Sequence, residues 1–185
     1  RASVGGNLCN SSPAADTIPA LISLAASCRI AGPDGEREVA AADFCTGPGH
    51  NVLQQGELLV SIQFPPSTAQ SSSAYERFIP RNEMDIAVAG AGSWVQLDES
   101  GSTIEQARIT LAAVGPIPLV AQQAADSLAG QEASEENLAA AGNLAREVAS
   151  PINDMRGTIE YRVHLVGVLV KRTLARAVAR ARGES

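Results

Sequence analysis

The sequence predicts an α+β chain in which a strand-rich stretch precedes a helical one. Three observations carry this reading. Residues 74–114 hold three apolar segments of strand length, and 119–182 hold three segments of helical periodicity, an order that stacks helices on an antiparallel sheet. Gly32-Pro33-Asp34-Gly35 is a strong turn signal between two short alternating runs, which makes 28–41 a hairpin. The polar, serine-rich run Ser67 to Ser73 then separates a first unit, 1–66, from a second, 67–185.

Taken in order, the chain opens on Ser3-Val4-Gly5-Gly6-Asn7, a glycine turn whose consecutive N–H groups suit phosphate oxygens. Ala14 to Ser27 is predicted helical, started by Asp16 and tolerating Pro19 in its first turn. The hairpin 28–41 follows, then the short segment Ala42 to Phe44, then a loop over Thr46 to His50. Glu57 to Phe64 alternates as a strand that Pro65-Pro66 ends. Ala74 to Ile79, Asp85 to Leu97 and Thr103 to Val114 are the three strands of the second unit, the last two joined by Asp98 to Ser102. Gly115 to Pro118 breaks the sheet. Leu119 to Leu128 is predicted helical, with Gly130 as its stop. Ser134 caps a helix to about Ala149, and Thr158 to Arg182 is a long final helix with Val163, Val166, Leu169, Val170 and Leu174 on one side.

Composition narrows the function. At 185 residues with 45% hydrophobic and 3% aromatic content, the core is built from Ala, Val, Leu and Ile. A net charge of −6 argues against general nucleic-acid binding. No apolar run is long enough to span a bilayer, and no signal-peptide pattern opens the chain. Cys9, Cys28 and Cys45 are odd in number and widely spaced, which fits a reducing cytoplasm better than a disulfide framework. Zinc held by Cys28, Cys45 and His50 would lack paired ligand spacing, so small buried thiols are the better reading for at least two of the three. His50 and His164 have no triad partners. Gly90-Ala91-Gly92 lacks the three-glycine dinucleotide spacing and sits inside a strand, where close packing accounts for it. Arg172, Arg176, Arg180 and Arg182 complement the dipole at the end of the final helix, with partner docking open.

A Gly-Gly turn before a capped helix also occurs in proteins that bind nothing. Here it stands within a longer pattern. Ser3-Val4-Gly5-Gly6-Asn7-Leu8 with Ser12-Pro13-Ala14-Ala15-Asp16 resembles the second FAD-binding loop of the flavoprotein (medium) subunit of molybdenum hydroxylases, the xanthine and carbon monoxide dehydrogenase type. Gly56-Glu57-Leu58-Leu59, Tyr75-Glu76-Arg77-Phe78, Asp85-Ile86-Ala87, Arg156-Gly157 and Tyr161-Arg162 match further along, so the resemblance covers nearly the whole chain.

The resemblance implies that 1–66 is the second half of an FAD-binding domain of α/β, PCMH-like type and that 67–185 is the C-terminal flavoprotein domain. Ser3, Val4, Gly5, Gly6 and Asn7 would grip the FAD pyrophosphate. Asp16 has two rival roles, helix N-cap or acceptor from a hydroxyl of the flavin's chain. Leu59 would pack on the isoalloxazine, although on sequence alone it reads as an inward strand residue. Arg77 would stand near the ring's N1–C2=O edge, where a cation stabilises reduced flavin, against the plain reading of a surface arginine. Asp85 is expected to be structural or at a subunit contact. The implied role is electron transfer: molybdopterin in a large partner subunit, two [2Fe–2S] clusters in a small one, FAD here, and NAD⁺, oxygen or a quinone beyond. The rival is a non-enzymatic assembly or docking module without FAD. Because the chain opens at Arg1 directly on the motif, it reads as a fragment whose first glycine loop lies upstream. The fragment alone is then expected to bind FAD weakly and to expose apolar surface near Val4, Leu8 and Leu59.

Overall fold

The computed structural model describes residues 3–81 and 85–184. Its first element is α1 (Val4–Asn10), so Gly5 and Gly6 lie in a helical first turn and not in the expected open glycine turn. Two glycines disfavour a helix. Here the Ser3 hydroxyl caps Gly6 N at 3.1 Å, Leu8 is fully buried, and Ser11 closes the end in the left-handed region at φ 48°. Next, α2 (Ile18–Ser23) is much shorter than the 14–27 helix expected from periodicity. Thr17 and not Asp16 occupies its N-cap, and Leu24 ends it.

The hairpin forms as read: β1 (Ser27–Gly32) and β2 (Gly35–Ala40) pair antiparallel, with Gly32 opposite Gly35. A 3-10 turn over Ala41–Asp43 follows. The expected loop 46–50 is a small ribbon of β3 (Cys45–Gly47) and β4 (His50–Asn51), joined through Gly49 at φ 74°. Then β5 (Leu58–Gln63) pairs with β1, giving the order β2-β1-β5. Arg37 of β2 makes a two-pronged contact with Glu57, 2.8 Å on each oxygen, reaching past β1 where Gly32 has no side chain. A Cβ on Gly32 would lie 2.8 Å from Glu57 Cγ. The Arg37 guanidinium and the Gln54 N–H hold the Glu57 carboxyl down at about 2.

The second sheet is built on β6 (Ser71–Phe78), β7 (Ala89–Leu97) and β8 (Thr103–Ala112), paired antiparallel in that order. Two-residue strands β9 (Leu119–Val120) and β10 (Gln131–Glu132) add to β8, so the expected three-stranded sheet gains two short edges. Strand β6 begins inside the serine run. The pairing of β9 with β8 removes Leu119 and Val120 from the expected helix, leaving α3 (Gln122–Asp126). Ser134 caps α4 (Glu135–Ala145), and Thr158 caps α5 (Ile159–Ala181) through Tyr161 N at 3.2 Å.

Register divides this sheet into two faces. Directly opposed residues share a face, so Ala74–Ser93–Ile109 and Glu76–Ala91–Leu111 form the back, against which α5 packs. The front carries the rows Ser71–Gln96–Gln106, Ser73–Trp94–Arg108, Tyr75–Gly92–Thr110 and Arg77–Gly90–Ala112. Helix α2 sits on the front over Gly92, whose Cβ would come within 2.8 Å of Ser23 Oγ and 3.0 Å of Pro19 O. The Gly90-Ala91-Gly92 run therefore serves close packing. The basic residues of α5 return to the sheet. Arg172 and Arg176 reach Glu76 at 3.5 Å, Arg180 donates to Ser73 O, and Arg182 donates to Gly101 O.

Candidate functional site

Where the front of the second sheet meets the first unit, a cavity of about 770 Å³ opens between α1, α2, β5 and β6. Val4, Gly5, Asp16, Leu59 and Tyr75 all line it, although they come from four separate stretches of chain. Its volume falls within the roughly 300–1,000 Å³ of small-molecule sites. The walls are mostly apolar: Ala20, Leu21, Leu24, Val60, Ile62 and Phe64 complete much of the lining.

The polar end is assembled across both units. Asp16 projects from the segment before α2. The Tyr75 hydroxyl donates to Asp16 Oδ1 at 3.2 Å, and Arg77 Nη1 donates to Oδ2 in an ion pair. Tyr75 and Arg77 share the front face because they stand two apart on β6. Burial, then the Asp16 charge, pushes the Tyr75 phenol above its usual range, so it remains a donor. The Asp16 hydrogen bond raises Arg77 likewise. Asp16 thus keeps its charge balanced and its remaining lone pairs available to hydroxyl donors. Of its two rival roles, the helix cap falls away because α2 starts on Thr17.

The glycine segment is more engaged internally than the sequence suggested. Gly6 N is bound to Ser3 Oγ and Asn7 N to Ser3 O, so neither N–H is spare. Asn7 Oδ1 accepts from Thr17 N at 3.2 Å and from the Thr17 hydroxyl, tying α1 to the start of α2. The N–H groups of Val4 and Gly5 have no partner among the described residues, and both residues line the cavity. A Cβ built on Gly5 would touch Leu59 Cδ2 at 3.7 Å, so any larger side chain there would enter the cavity. Leu59 is half-buried and Val4 is 48% exposed, but Leu8 is wholly buried and contributes nothing to the expected apolar surface.

An apolar slot, two free backbone donors, a glycine wall and a charge-balanced carboxylate fit a long cofactor with a ring, a polyol chain and a pyrophosphate. Sequence reading missed Tyr75; the signal for it was the period-two spacing of Ser73, Tyr75 and Arg77 around glycines 90 and 92.

The other candidates lie elsewhere. Asp85 takes Arg81 at 3.2 Å and its own chain at Ile86 N. Cys28 and Cys45 are buried free thiols and Cys9 is partly buried, each pushed up chiefly by burial. Among the described residues no group of three His, Cys, Asp or Glu side chains is placed to hold a metal, so Cys28, Cys45 and His50 do not converge. No helix among the described residues is long and apolar enough to cross a membrane.

Residues 1–67 match the family described as FAD binding domain in molybdopterin dehydrogenase, and residues 73–177 match CO dehydrogenase flavoprotein C-terminal domain. The chain is 37% identical over 180 residues to the carbon monoxide dehydrogenase medium chain of Afipia carboxidovorans, covering 97% of this chain and 61% of that one. It is 29% identical to a putative xanthine dehydrogenase FAD-binding subunit of Escherichia coli, covering 99% and 62%. The solved carbon monoxide dehydrogenase from Hydrogenophaga pseudoflava that lacks the Mo-pyranopterin moiety superposes at TM-score 0.92 with 32% identity, over 97% of this chain and 62% of that one. The chain therefore spans about 61–62% of the length of these relatives.

Proposed function

The chain belongs to the flavoprotein family of the molybdenum hydroxylases, and from that premise we propose that it is an oxidoreductase subunit that holds FAD in the cavity between α1, β5 and β6. The observation that carries the reading is the convergence of Val4, Gly5, Asp16 and Leu59 on one cavity. When bound, FAD supplies an electron relay between the [2Fe–2S] clusters of a small partner subunit and an external acceptor, with substrate oxidised at molybdopterin in a large one.

The chain's own residues bind and orient. Val4 and Gly5 offer backbone N–H groups to pyrophosphate oxygens. Ser3, Gly6 and Asn7 hold that turn in shape, through the Ser3 cap and the Asn7–Thr17 tie. Asp16 accepts hydroxyls of the polyol chain, Leu59 supplies an apolar wall for the ring system, and Arg77 supplies the cation beside it. No proton need move through this chain. We further assign 1–66 and 67–185 to separate domains meeting at this cavity, and the free thiols support a reducing compartment, the cytoplasm.

Co-purification with native partners, followed by absorbance spectra and iron and molybdenum analysis, tests the reading. The expected result is a yellow hetero-oligomer carrying all three centres; a colourless complex overturns it. Gly5→Val should remove the flavin with little change in melting temperature. Gly6→Val should lose both, since its Cβ would lie 2.8 Å from Ser3 Oγ.

A further inference from the structure

Helix α2 covers only part of the front face. The rows Ser71–Gln96–Gln106 and Ser73–Trp94–Arg108 remain as the floor of a second groove, of about 430 Å³, walled by Leu24 and by Phe64 to Thr68. Leu24 and Phe64 also line the cofactor cavity, so the two spaces lie on either side of one wall.

The groove's chemistry runs against the chain's overall charge. The chain has 20 acidic residues and a net charge of −6, yet among the described residues no carboxylate lines this groove. Its one charged side chain is Arg108. The guanidinium carbon sits 3.7 Å from the centroid of the Trp94 ring, and Nε donates to Ser23 O at 2.7 Å. Among the described residues Arg108 has no ion-pair partner, and its two Nη groups make no hydrogen bond. At the groove's edge Glu105 accepts a hydrogen bond from the Gln96 amide at 3.1 Å.

A guanidinium fixed on an indole has surrendered its rotamer freedom in advance, so an anion meeting it gains the fork geometry at little entropic cost. Burial pulls the Arg108 guanidinium down from its usual range. The hydroxyls of Ser67, Thr68 and Ser73 donate to nothing among the described residues, and all three residues line the same groove. One fork and several hydroxyls suit an acceptor with three or more oxygens. Leu24, Phe64 and Pro65 give the same groove an apolar wall, which a bare ion would leave unused.

We propose that this groove is a phosphate-binding site in which Arg108, stacked on Trp94, takes the oxyanion of a phosphate monoester whose organic part lies against Leu24, Phe64 and Pro65. It is separate from the FAD cavity and does not depend on that cavity being filled.

Trp94 is the only tryptophan in the chain, so its emission reports the site directly. Phenyl phosphate titrated into the 185-residue chain at low ionic strength should change Trp94 emission saturably, with chloride at matched ionic strength giving no such curve. Inorganic phosphate should bind several-fold more weakly; binding as tight as the ester's would assign free phosphate as the source of the same oxyanion. Arg108→Lys, which keeps the charge and loses the fork and stack, should weaken binding about tenfold or more, and Arg108→Gln should abolish it. Arg77→Gln, which breaks the ion pair with Asp16 of the neighbouring cavity, should leave it unchanged. No saturable response in the wild type, equal affinity in Arg108→Lys, or loss in Arg77→Gln overturns the proposal. None of these outcomes depends on whether FAD binds.

Discussion

Among the described residues the larger core encloses 25 buried apolar residues between a 23-residue helix and the five-stranded sheet, whereas the smaller one encloses 11 and contains no helix longer than seven residues. The difference shows in how each is held. Around α5 the sequence is periodic and the packing is aliphatic, with Gly142 letting α4 approach until a Cβ there would lie 2.7 Å from Gly167 O. Around α1 and α2 the backbone is fixed by side-chain polar contacts: the Ser3 cap, the Asn7–Thr17 tie, Asn51 Nδ2 on Cys9 O and the Arg37–Glu57 pair. The part that carries most of the proposed cofactor residues is the part with least hydrophobic reserve. It is completed from outside by Tyr75 and Arg77, which gives the site a reason to straddle both units.

The largest test of this contrast is Phe44→Ala. Phe44 is fully buried in the small core, and truncating a core aromatic costs about 3–5 kcal/mol. Hydrogen exchange should show residues 3–63 losing protection while β7 and β8 keep theirs. Leu174→Ala, at a fully buried site of the large core, costs about 2–5 kcal/mol and should lower the melting temperature without that selective loss. Loss of protection in both units together under Phe44→Ala would show that they fold as one.

A smaller effect is expected at the seam. Gly92→Val drives side-chain atoms into Pro19 and Ser23, an overpacking worth about 1–3 kcal/mol. Faster exchange confined to α2, with a shifted Trp94 emission, is the expected readout; unchanged exchange in α2 would mean that the helix is held by the small core and not by the sheet.

The smallest effect is electrostatic. Glu57 titrates at about 2 in the folded chain against 4.5 for the free group, because Arg37 and the Gln54 N–H hold its charged form. A depressed carboxyl contributes stability that is complete above pH 4.5 and fades as pH falls toward 2. Melting of the small unit followed from pH 6 to 2 should show this slope, and Glu57→Gln should flatten it. An unchanged slope would mean that the Arg37–Glu57 pair does not set the acid sensitivity of this unit.

What the sequence by itself determined is what chemistry decides within a few residues. The turn at Pro33-Asp34, the Ser134 cap and the strands that became β7 and β8 were legible, because caps and turns act over three or four positions, whereas the helix expected to run to a stop at Gly130 already ends at Ser127. The candidate residues of the glycine segment were legible by resemblance, but not the helix they form. Tertiary structure decided the rest. Burial of Leu8 and the Thr17 contact, added to the local Ser3 cap, make a helix of a Gly-Gly segment whose own propensity opposes it. Asp16 finds its partners 59 and 61 residues away, and Arg162, nearly buried, finds Val88 O 74 residues away. Such pairings carry no local signature, because the free energy that selects them comes from desolvating a charge only where a distant strand already offers it a partner.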